Sequence, residues 1–205
     1  MTATPATART TPAVRHAVRL EYATVAWNVV EVVVTVGLGV AAGSLALIAF
    51  GLDSLVEIFA SGVVLWHLRG NPGRERTQRA LRLVALAFFV LAAVLLAGAV
   101  RDLVTEHRAD ESPLGIAYLG IAATAMFWLA IAKRRVSADI GNHPLSHEAR
   151  VTFLDGTLAI AILLALAANV AFGWWWADTL AAAVVGVVAI FEGIAAPREH
   201  DEAGV

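Results

Sequence analysis

Two acidic residues lie one helical turn apart in an otherwise apolar stretch of this sequence. Asp53 and Glu57 are four positions apart within residues 44–61, so on an α-helix they share one face. An acidic side chain near the middle of a membrane helix costs roughly 2.5–3.5 kcal/mol on insertion scales. We therefore expect both carboxylates to face inward, toward a polar partner, a water path or a bound cation.

The composition indicates a membrane protein. Of the 205 residues, 59% are hydrophobic and the mean hydropathy is +0.73, while charged residues make up 16%, against about 25% in soluble domains. The net charge of −2 gives no general attraction to nucleic acid, so no nucleic-acid partner is expected. The sequence has no cysteine, which excludes disulfides, thiolate metal ligands and cysteine nucleophiles.

Six apolar segments are each close to the ~20 residues that span a lipid bilayer. They cover residues 22–42, 45–68, 83–100, 114–132, 149–171 and 177–195. We therefore predict an all-α membrane protein whose six transmembrane helices form one domain over residues 22–195. Residues 1–21 are expected to be a disordered cytoplasmic tail and helix lead-in, and residues 196–205 a short cytoplasmic tail.

The basic residues are distributed unevenly between the two ends of these helices. Thirteen of the fifteen, Lys133 among them, flank the helices on the side of the chain termini, and only Arg101 and Arg108 lie on the other side. The positive-inside rule then places both termini in the cytoplasm of a multi-pass protein of the cytoplasmic (inner) membrane. The three tryptophans at 174–176 are predicted to mark the outer interface.

Further polar residues fall near Asp53 and Glu57 in depth. At ~1.5 Å of rise per residue, Asn28 and Glu31 in helix 1 and Asp155 in helix 5 lie within a turn or two of the same level. Four carboxylates in a low-dielectric interior repel one another or take up protons unless a divalent cation is bound. A site at this depth that exchanges a cation for protons fits the physical description of a transport site. Glu31 has an alternative role as a structural partner of Asn28, and a single buried carboxyl can also be a neutral hydrogen-bond partner.

Four other polar residues have more ordinary explanations. Asp178 and Glu192 lie near the ends of helix 6, where an interfacial role is favoured over a ligand role. His143 and His147 have the spacing of a ligand pair on a helix. Pro144 lies between them, however, and favours a solvated loop over a metal site that assists metal entry.

The pattern of these residues resembles a known family. Residues 44–57 resemble the second helix of the cation diffusion facilitators, in which two acidic residues four apart bind the transported metal. Asp155 and the apolar run after it resemble the fifth helix of that family. Trp27, Asn28 and Glu31 are similar to the first helix of a subgroup of small cation transporters.

The resemblance covers about residues 20–196 and implies both a fold and a function. The family fold has six helices, with 1, 2, 4 and 5 in a compact bundle and 3 and 6 paired outside it. The implied activity is export of a divalent metal of the Zn, Mn, Fe or Co type in exchange for protons, usually by a homodimer. Such a protein is not an enzyme and needs no cofactor, because the metal is its substrate. Asp53, Glu57 and Asp155 match the metal ligands of the family.

Two features depart from the family pattern. The position four residues before Asp155, usually His in zinc exporters and often Asp in manganese exporters, is Val151. The usual cytoplasmic metal-binding domain after helix 6 is also expected to be missing. We predict that Glu31, with Asn28 or Thr152 as a secondary oxygen ligand, replaces the side chain lost at Val151. An all-oxygen shell suits Mn²⁺ or Fe²⁺ better than an imidazole site does, although carboxylates also bind Zn²⁺.

Two other classes of function are weighed against a transporter. A non-transporting membrane scaffold or assembly protein would use the buried carboxylates for helix packing, bind no metal and tolerate Asp53→Asn. An intramembrane enzyme would need a substrate-facing nucleophile or histidine, and the predicted spans offer none. The leading prediction is a secondary transporter that exports divalent cations by proton antiport.

Overall fold

The computed structural model describes residues 12–69, 74–141 and 143–202, and this part of the chain forms six α-helices. The helices are α1 (Pro12–Ala42), α2 (Leu45–Arg69), α3 (Arg74–Val104), α4 (Pro113–Ile140), α5 (His143–Phe172) and α6 (Trp176–Glu202). Each contains a stretch long and apolar enough to cross a membrane, which confirms the predicted all-α fold with six transmembrane helices. Because the number of crossings is even, both chain ends lie on one side, here called the terminal side.

The six helices associate as three neighbouring pairs. α1 packs on α2, α3 on α6, and α4 on α5. Contacts of α1 with α4 and of α2 with α5 join four helices into a compact bundle, while α3 and α6 pack against its outside through α2 and α5. This arrangement confirms the bundle that the family resemblance implies.

Several helices extend beyond the predicted spans on the terminal side. α1 begins at Pro12, inside the segment expected to be a disordered tail, and α6 continues to Glu202, through the expected short tail. Polar residues at these ends give no apolar signal, so hydropathy cannot locate the helix boundaries. His143 and His147 belong to α5 rather than to the expected loop, because a helix tolerates a proline such as Pro144 in its first turn. Their side chains lie outside the described part, as do residues 1–11.

A tight turn joins α1 and α2, as expected from predicted spans that leave only residues 43 and 44 between them. Gly43 has φ +62°, in the left-handed region that favours glycine, and Ser44 N donates a hydrogen bond to Gly39 O at 2.9 Å. A Cβ added at Gly39 would lie 2.8 Å from both the backbone nitrogen and Cγ1 of Ile48. The close approach of these two helices therefore depends on glycine at position 39.

The buried face of α1 is largely polar. Its buried polar residues recur every three or four positions, which places them on one side of the helix. They are Glu21, Thr24, Asn28, Glu31 and Thr35. The opposite side exposes large apolar residues such as Val30, Val33 and Val40, as expected for a helix surrounded by lipid. We call the buried set the polar stripe of α1.

Candidate functional site

Three acidic side chains meet between α2 and α5. Asp155 on α5 interacts directly with both Asp53 and Glu57 on α2. We call these three residues the acidic cluster. They are almost completely buried, with exposed fractions of 7% for Asp53, 2% for Glu57 and 7% for Asp155. The structure thus brings together the three residues that the family motif selects as metal ligands.

Glu57 is the point at which α1, α2 and α5 meet. The side-chain amide of Asn28 donates a hydrogen bond from Nδ2 to Glu57 Oε2 at 2.9 Å. The hydroxyl of Thr152 lies 2.9 Å from Glu57 Oε1 and also 2.9 Å from the carbonyl oxygen of Glu148. Because a hydroxyl has one hydrogen, Thr152 donates to only one of these oxygens at a time.

Two oxygens beside Glu57 have no hydrogen-bond donor in the part of the chain that the structure describes. They are Asn28 Oδ1 and Asp155 Oδ2, both of which are buried. A buried acceptor without a donor costs about 1–3 kcal/mol. Both atoms are of the type that divalent cations accept as ligands, so the arrangement is chemically suited to a cation.

Glu31 lies beside the acidic cluster, where its carboxylate is held by Trp27 and Ser54. Its Oε2 accepts a hydrogen bond from Trp27 Nε1 at 2.9 Å, and its Oε1 accepts one from Ser54 Oγ at 2.6 Å. Trp27 in turn stacks on Tyr118 of α4, with ring centroids 6.3 Å apart. Glu31 therefore ties α1 to α2 at Ser54, the residue next to Asp53.

The acidic residues do not form a ready-made metal site. Over residues 12–69, 74–141 and 143–202, no three His, Cys, Asp or Glu side chains are grouped so that they could hold a metal ion as they stand. Both oxygens of Glu57 and both oxygens of Glu31 lie within hydrogen-bond distance of one side-chain donor each. Because each carboxylate oxygen has a second lone pair, these hydrogen bonds leave room for a metal ligand bond at Glu57.

A buried lysine adjoins this site and was not predicted from the sequence. Lys133 of α4 was counted among the basic residues that flank the helices, but its side chain is 0% exposed. Its Nζ lies 3.1 Å from Glu148 Oε1, 3.2 Å from Thr152 Oγ1 and 3.6 Å from Glu21 Oε1. Ser61 Oγ donates to Glu148 Oε1 at 2.6 Å. We call Lys133, Glu21 and Glu148 the lysine cluster.

The sequence does contain signals for the lysine cluster. Lys133 is the only lysine in the chain, beside fourteen arginines. Glu148 precedes Thr152 by four positions and Asp155 by seven, so the three share one face of α5. Glu21 continues the polar stripe of α1. A hydropathy window stops short of these residues because each charged residue lowers its mean.

Asp178, in the first turn of α6, caps the start of α2. It is buried, and its Oδ1 accepts a hydrogen bond from Ser44 Oγ at 2.5 Å. Its Oδ2 accepts the backbone N–H groups of Leu45 at 2.9 Å and Ala46 at 3.3 Å, at the first turn of α2. A carboxylate stabilises these otherwise unpaired N–H groups and the positive end of the helix dipole. Glu192, on the same helix as Asp178, is half-buried.

Comparison with known families agrees with this geometry. The model of the cation efflux transmembrane domain matches residues 22–199. The chain belongs to the cation efflux family. This cation efflux protein is accordingly a multi-pass membrane protein and a cation transporter, with the acidic cluster in the interior of its helix bundle. No curated protein matches the sequence significantly.

Proposed function

We propose that this cation efflux protein exports divalent metal cations of the Zn, Mn, Fe or Co type and that the acidic cluster binds them. The observation that supports this most strongly is the meeting of Asp53, Glu57 and Asp155, on two helices, in the buried interior. The two oxygens without a donor among the described residues, Asn28 Oδ1 and Asp155 Oδ2, belong to side chains that both contact Glu57. Together they supply the charge and the oxygen atoms that a divalent cation requires.

Proton exchange follows from the burial of the acidic cluster. Several carboxylates in a low-dielectric interior are stable only when they are paired with a cation or protonated. In the proposed cycle the metal reaches the deprotonated cluster from the terminal side, and protons replace it when the cluster opens to the other side. By the positive-inside rule the terminal side is cytoplasmic, so the direction is export. A homodimer, usual in this family, is part of the proposal.

The oxygens around the acidic cluster bear on which metal is carried. Asn28 and Thr152 already contact Glu57, so a small rotation of either side chain brings its oxygen toward the cluster. Glu31 is the third candidate ligand, and its two oxygens also accept hydrogen bonds from Trp27 and Ser54. With Val151 in place of a histidine or aspartate, this shell contains only oxygen. We therefore propose a weaker preference for Zn²⁺ over Mn²⁺ than a histidine-containing relative has.

The decisive experiment is metal flux into vesicles that contain the purified protein, across a panel of divalent ions and with a pH gradient of either sign. Asp155→Asn removes one charge while keeping the side-chain volume, and we expect it to abolish flux. Asp139→Asn is the matched control, because Asp139 is an exposed aspartate of α4. Equal flux in Asp155→Asn and wild type would remove α5 from the metal site.

A structural role for the carboxylates is the second candidate. It is favoured by one observation: each oxygen of Glu57 and of Glu31 lies within hydrogen-bond distance of a donor in the protein, which is what helix packing alone requires. A scaffold of this kind would bind no metal, and Asp53→Asn would fold and behave as wild type. Titration calorimetry with Mn²⁺ and Zn²⁺ on both proteins separates the two candidates, since transport requires binding that Asp53→Asn weakens.

A further inference from the structure

We propose that the ammonium group of Lys133 closes the terminal-side entrance to the acidic cluster. We further propose that an entering metal ion displaces this ammonium group. This inference rests on the proposed function for the identity of the entering ion. The closure itself rests on the lysine cluster, which belongs neither to the metal-ligand motif nor to the acidic cluster. Lys133 is then a positioning residue for transport, acting on the metal site through Thr152.

The lysine cluster lies between the acidic cluster and the terminal side. At ~1.5 Å per residue, Glu148, Lys133 and Glu21 lie roughly 8, 10 and 14 Å from the terminal-side ends of their helices. Glu57 and Asp155 both lie roughly 18 Å from those ends by the same measure. Because α1, α4 and α5 each contribute one charged residue, the cluster joins three helices of the bundle within about one helical turn of depth.

The geometry suits a lysine. An ammonium group has three hydrogens, and Nζ of Lys133 has three oxygens around it, from Glu148, Thr152 and Glu21. Among the residues that the structure describes, neither buried carboxylate oxygen of Glu21 has a hydrogen-bond donor, so this carboxylate relies on the ammonium for charge compensation. With two carboxylates and one ammonium, the cluster has one more negative charge than positive when all three are ionised.

Thr152 connects the two clusters. Its oxygen accepts a hydrogen bond from Lys133, and its single hydrogen can point to Glu57 or to the carbonyl oxygen of Glu148. A metal ion bound at Glu57 brings positive charge close to the Thr152 hydroxyl, and a metal bound by the Thr152 oxygen itself weakens the hydrogen bond that this oxygen accepts from Lys133. Metal binding and the ammonium of Lys133 therefore oppose each other through the one oxygen that both can contact, Thr152 Oγ1.

The closure is tested by chemical labelling in the natural cysteine-free background. Val151→Cys places a thiol at a buried position, four residues before Asp155 and one turn beyond Glu148 from the terminal side. In sealed vesicles with the terminal side outward, a membrane-impermeant maleimide should label this thiol slowly. Adding Lys133→Gln should raise the labelling rate at least tenfold, whereas Arg134→Gln, at the exposed neighbouring residue, should leave it unchanged.

A variant whose lysine cluster carries no charge keeps the test decisive if the single variant misfolds. Lys133→Gln alone leaves two buried carboxylates without their cation, whereas combining it with Glu21→Gln and Glu148→Gln keeps the shapes and removes the charges. We expect this triple variant to label as fast as Lys133→Gln. The thiol in the triple or the single variant could instead be labelled as slowly as in Val151→Cys alone. That result would show that packing closes the entrance, and it would overturn the proposal.

Displacement by metal is tested on the wild-type chain, because Lys133 is its only lysine. Reductive methylation, followed by peptide mapping to separate the N-terminal amine, reports the reactivity of that single ε-amine. Saturating Mn²⁺ should raise the methylation rate several-fold in wild type and not in Asp155→Asn.

An unchanged methylation rate, with Mn²⁺ binding recorded by calorimetry, would overturn the displacement of Lys133. Failure of Mn²⁺ and Zn²⁺ to bind at all would overturn the proposed function instead, and the maleimide labelling would then decide the closure alone.

Discussion

At the scale of single residues, the site is organised by hydroxyl and amide groups as much as by carboxylates. Thr152 contacts Glu57, Lys133 and the backbone of Glu148 through one oxygen atom. Asn28 donates to Glu57, and its own oxygen has no donor among the residues that the structure describes. Such side chains set the direction of the carboxylates and can change partners by rotation alone, without the cost of moving a charge.

Replacing Thr152 should lower the stability of the protein, because Glu57 and Lys133 depend on its hydroxyl group. Thr152→Val keeps the shape and removes the hydroxyl, so Glu57 and Lys133 each lose a buried partner. We expect the free energy of unfolding to fall by about 1–3 kcal/mol. Thr157→Val is the matched control on the same helix, because the Thr157 hydroxyl is exposed and donates to the carbonyl oxygen of Phe153, one turn earlier. Equal thermal midpoints for both variants in detergent would contradict the assigned role of Thr152.

Introducing a nitrogen ligand should change the selectivity of transport. Val151→His restores an imidazole one turn before Asp155, and we expect the ratio of Zn²⁺ to Mn²⁺ flux to rise, by about tenfold for one good ligand. Phe153→His, at an exposed position two residues on, should leave the ratio unchanged. The all-oxygen shell would be wrong if wild type already carried Zn²⁺ and rejected Mn²⁺. A role for Glu31 would be wrong if Glu31→Gln kept the wild-type metal affinity.

At the scale of helices, the inner faces of α1 and α2 determine how closely the two can pack. The polar stripe of α1 supplies Asn28 and Glu31 to partners on α2, and the two-residue turn keeps the helices in register. Gly51 of α2 faces Thr35 and Val36 of α1 so closely that a Cβ would lie 2.5 Å from Thr35 Oγ1.

Glycine substitutions on α2 should separate packing from helix propensity. Gly51→Ala forces α1 and α2 apart, and we expect it to lower the thermal midpoint and to reduce metal flux. Gly62→Ala adds the same methyl group to the same helix where nothing lies within 4 Å. Alanine favours a helix over glycine by roughly 0.5–1 kcal/mol, so this control should be neutral or stabilising. Identical midpoints for the two variants would refute the close contact.

At the scale of the whole molecule, the terminal side and the opposite side differ in charge and in connections. The long loop between α3 and α4, on the opposite side, is tied to the α1–α2 turn by a hydrogen bond from Asp110 N to Ala42 O at 2.8 Å. Arg108 lies in this loop and Arg101 in the last turn of α3, and these are the two arginines on that side. With Lys133 in the interior, most of the remaining basic residues still lie toward the terminal side.

This asymmetry predicts the orientation of the protein in the membrane. Reporter fusions after Gly141 and after Asp110 should report opposite compartments, with Gly141 in the cytoplasm. An alkaline phosphatase reporter is active only outside, so activity is expected at Asp110 alone. Activity at Gly141 with none at Asp110 would invert the protein and turn the proposed export into import. Equal activity at both would contradict the six-crossing arrangement.

Much of the fold was predictable because a helix that crosses a lipid bilayer needs about 20 consecutive, mostly apolar residues. The six spans, the pairing implied by the family and the α1–α2 turn all follow from apolar length and from the motif around Asp53. The lysine cluster was not predictable by the same rule, because hydropathy assigns Lys133 to a helix end and cannot detect partners on α1 and α5. The capping role of Asp178 was missed for the same reason: its partners lie more than 130 positions away in the sequence.

The polar stripe of α1 also constrains how the chain enters the membrane during synthesis. α1 emerges first, and alone it would present Glu21, Asn28 and Glu31 to lipid, at roughly 2.5–3.5 kcal/mol for each ionised residue near the centre. α2 follows after two residues and brings Glu57 and Ser54, the partners of Asn28 and Glu31. We expect α1 by itself to insert poorly in a translocon assay and the α1–α2 hairpin to insert efficiently, so that the first stable species in the bilayer is the pair.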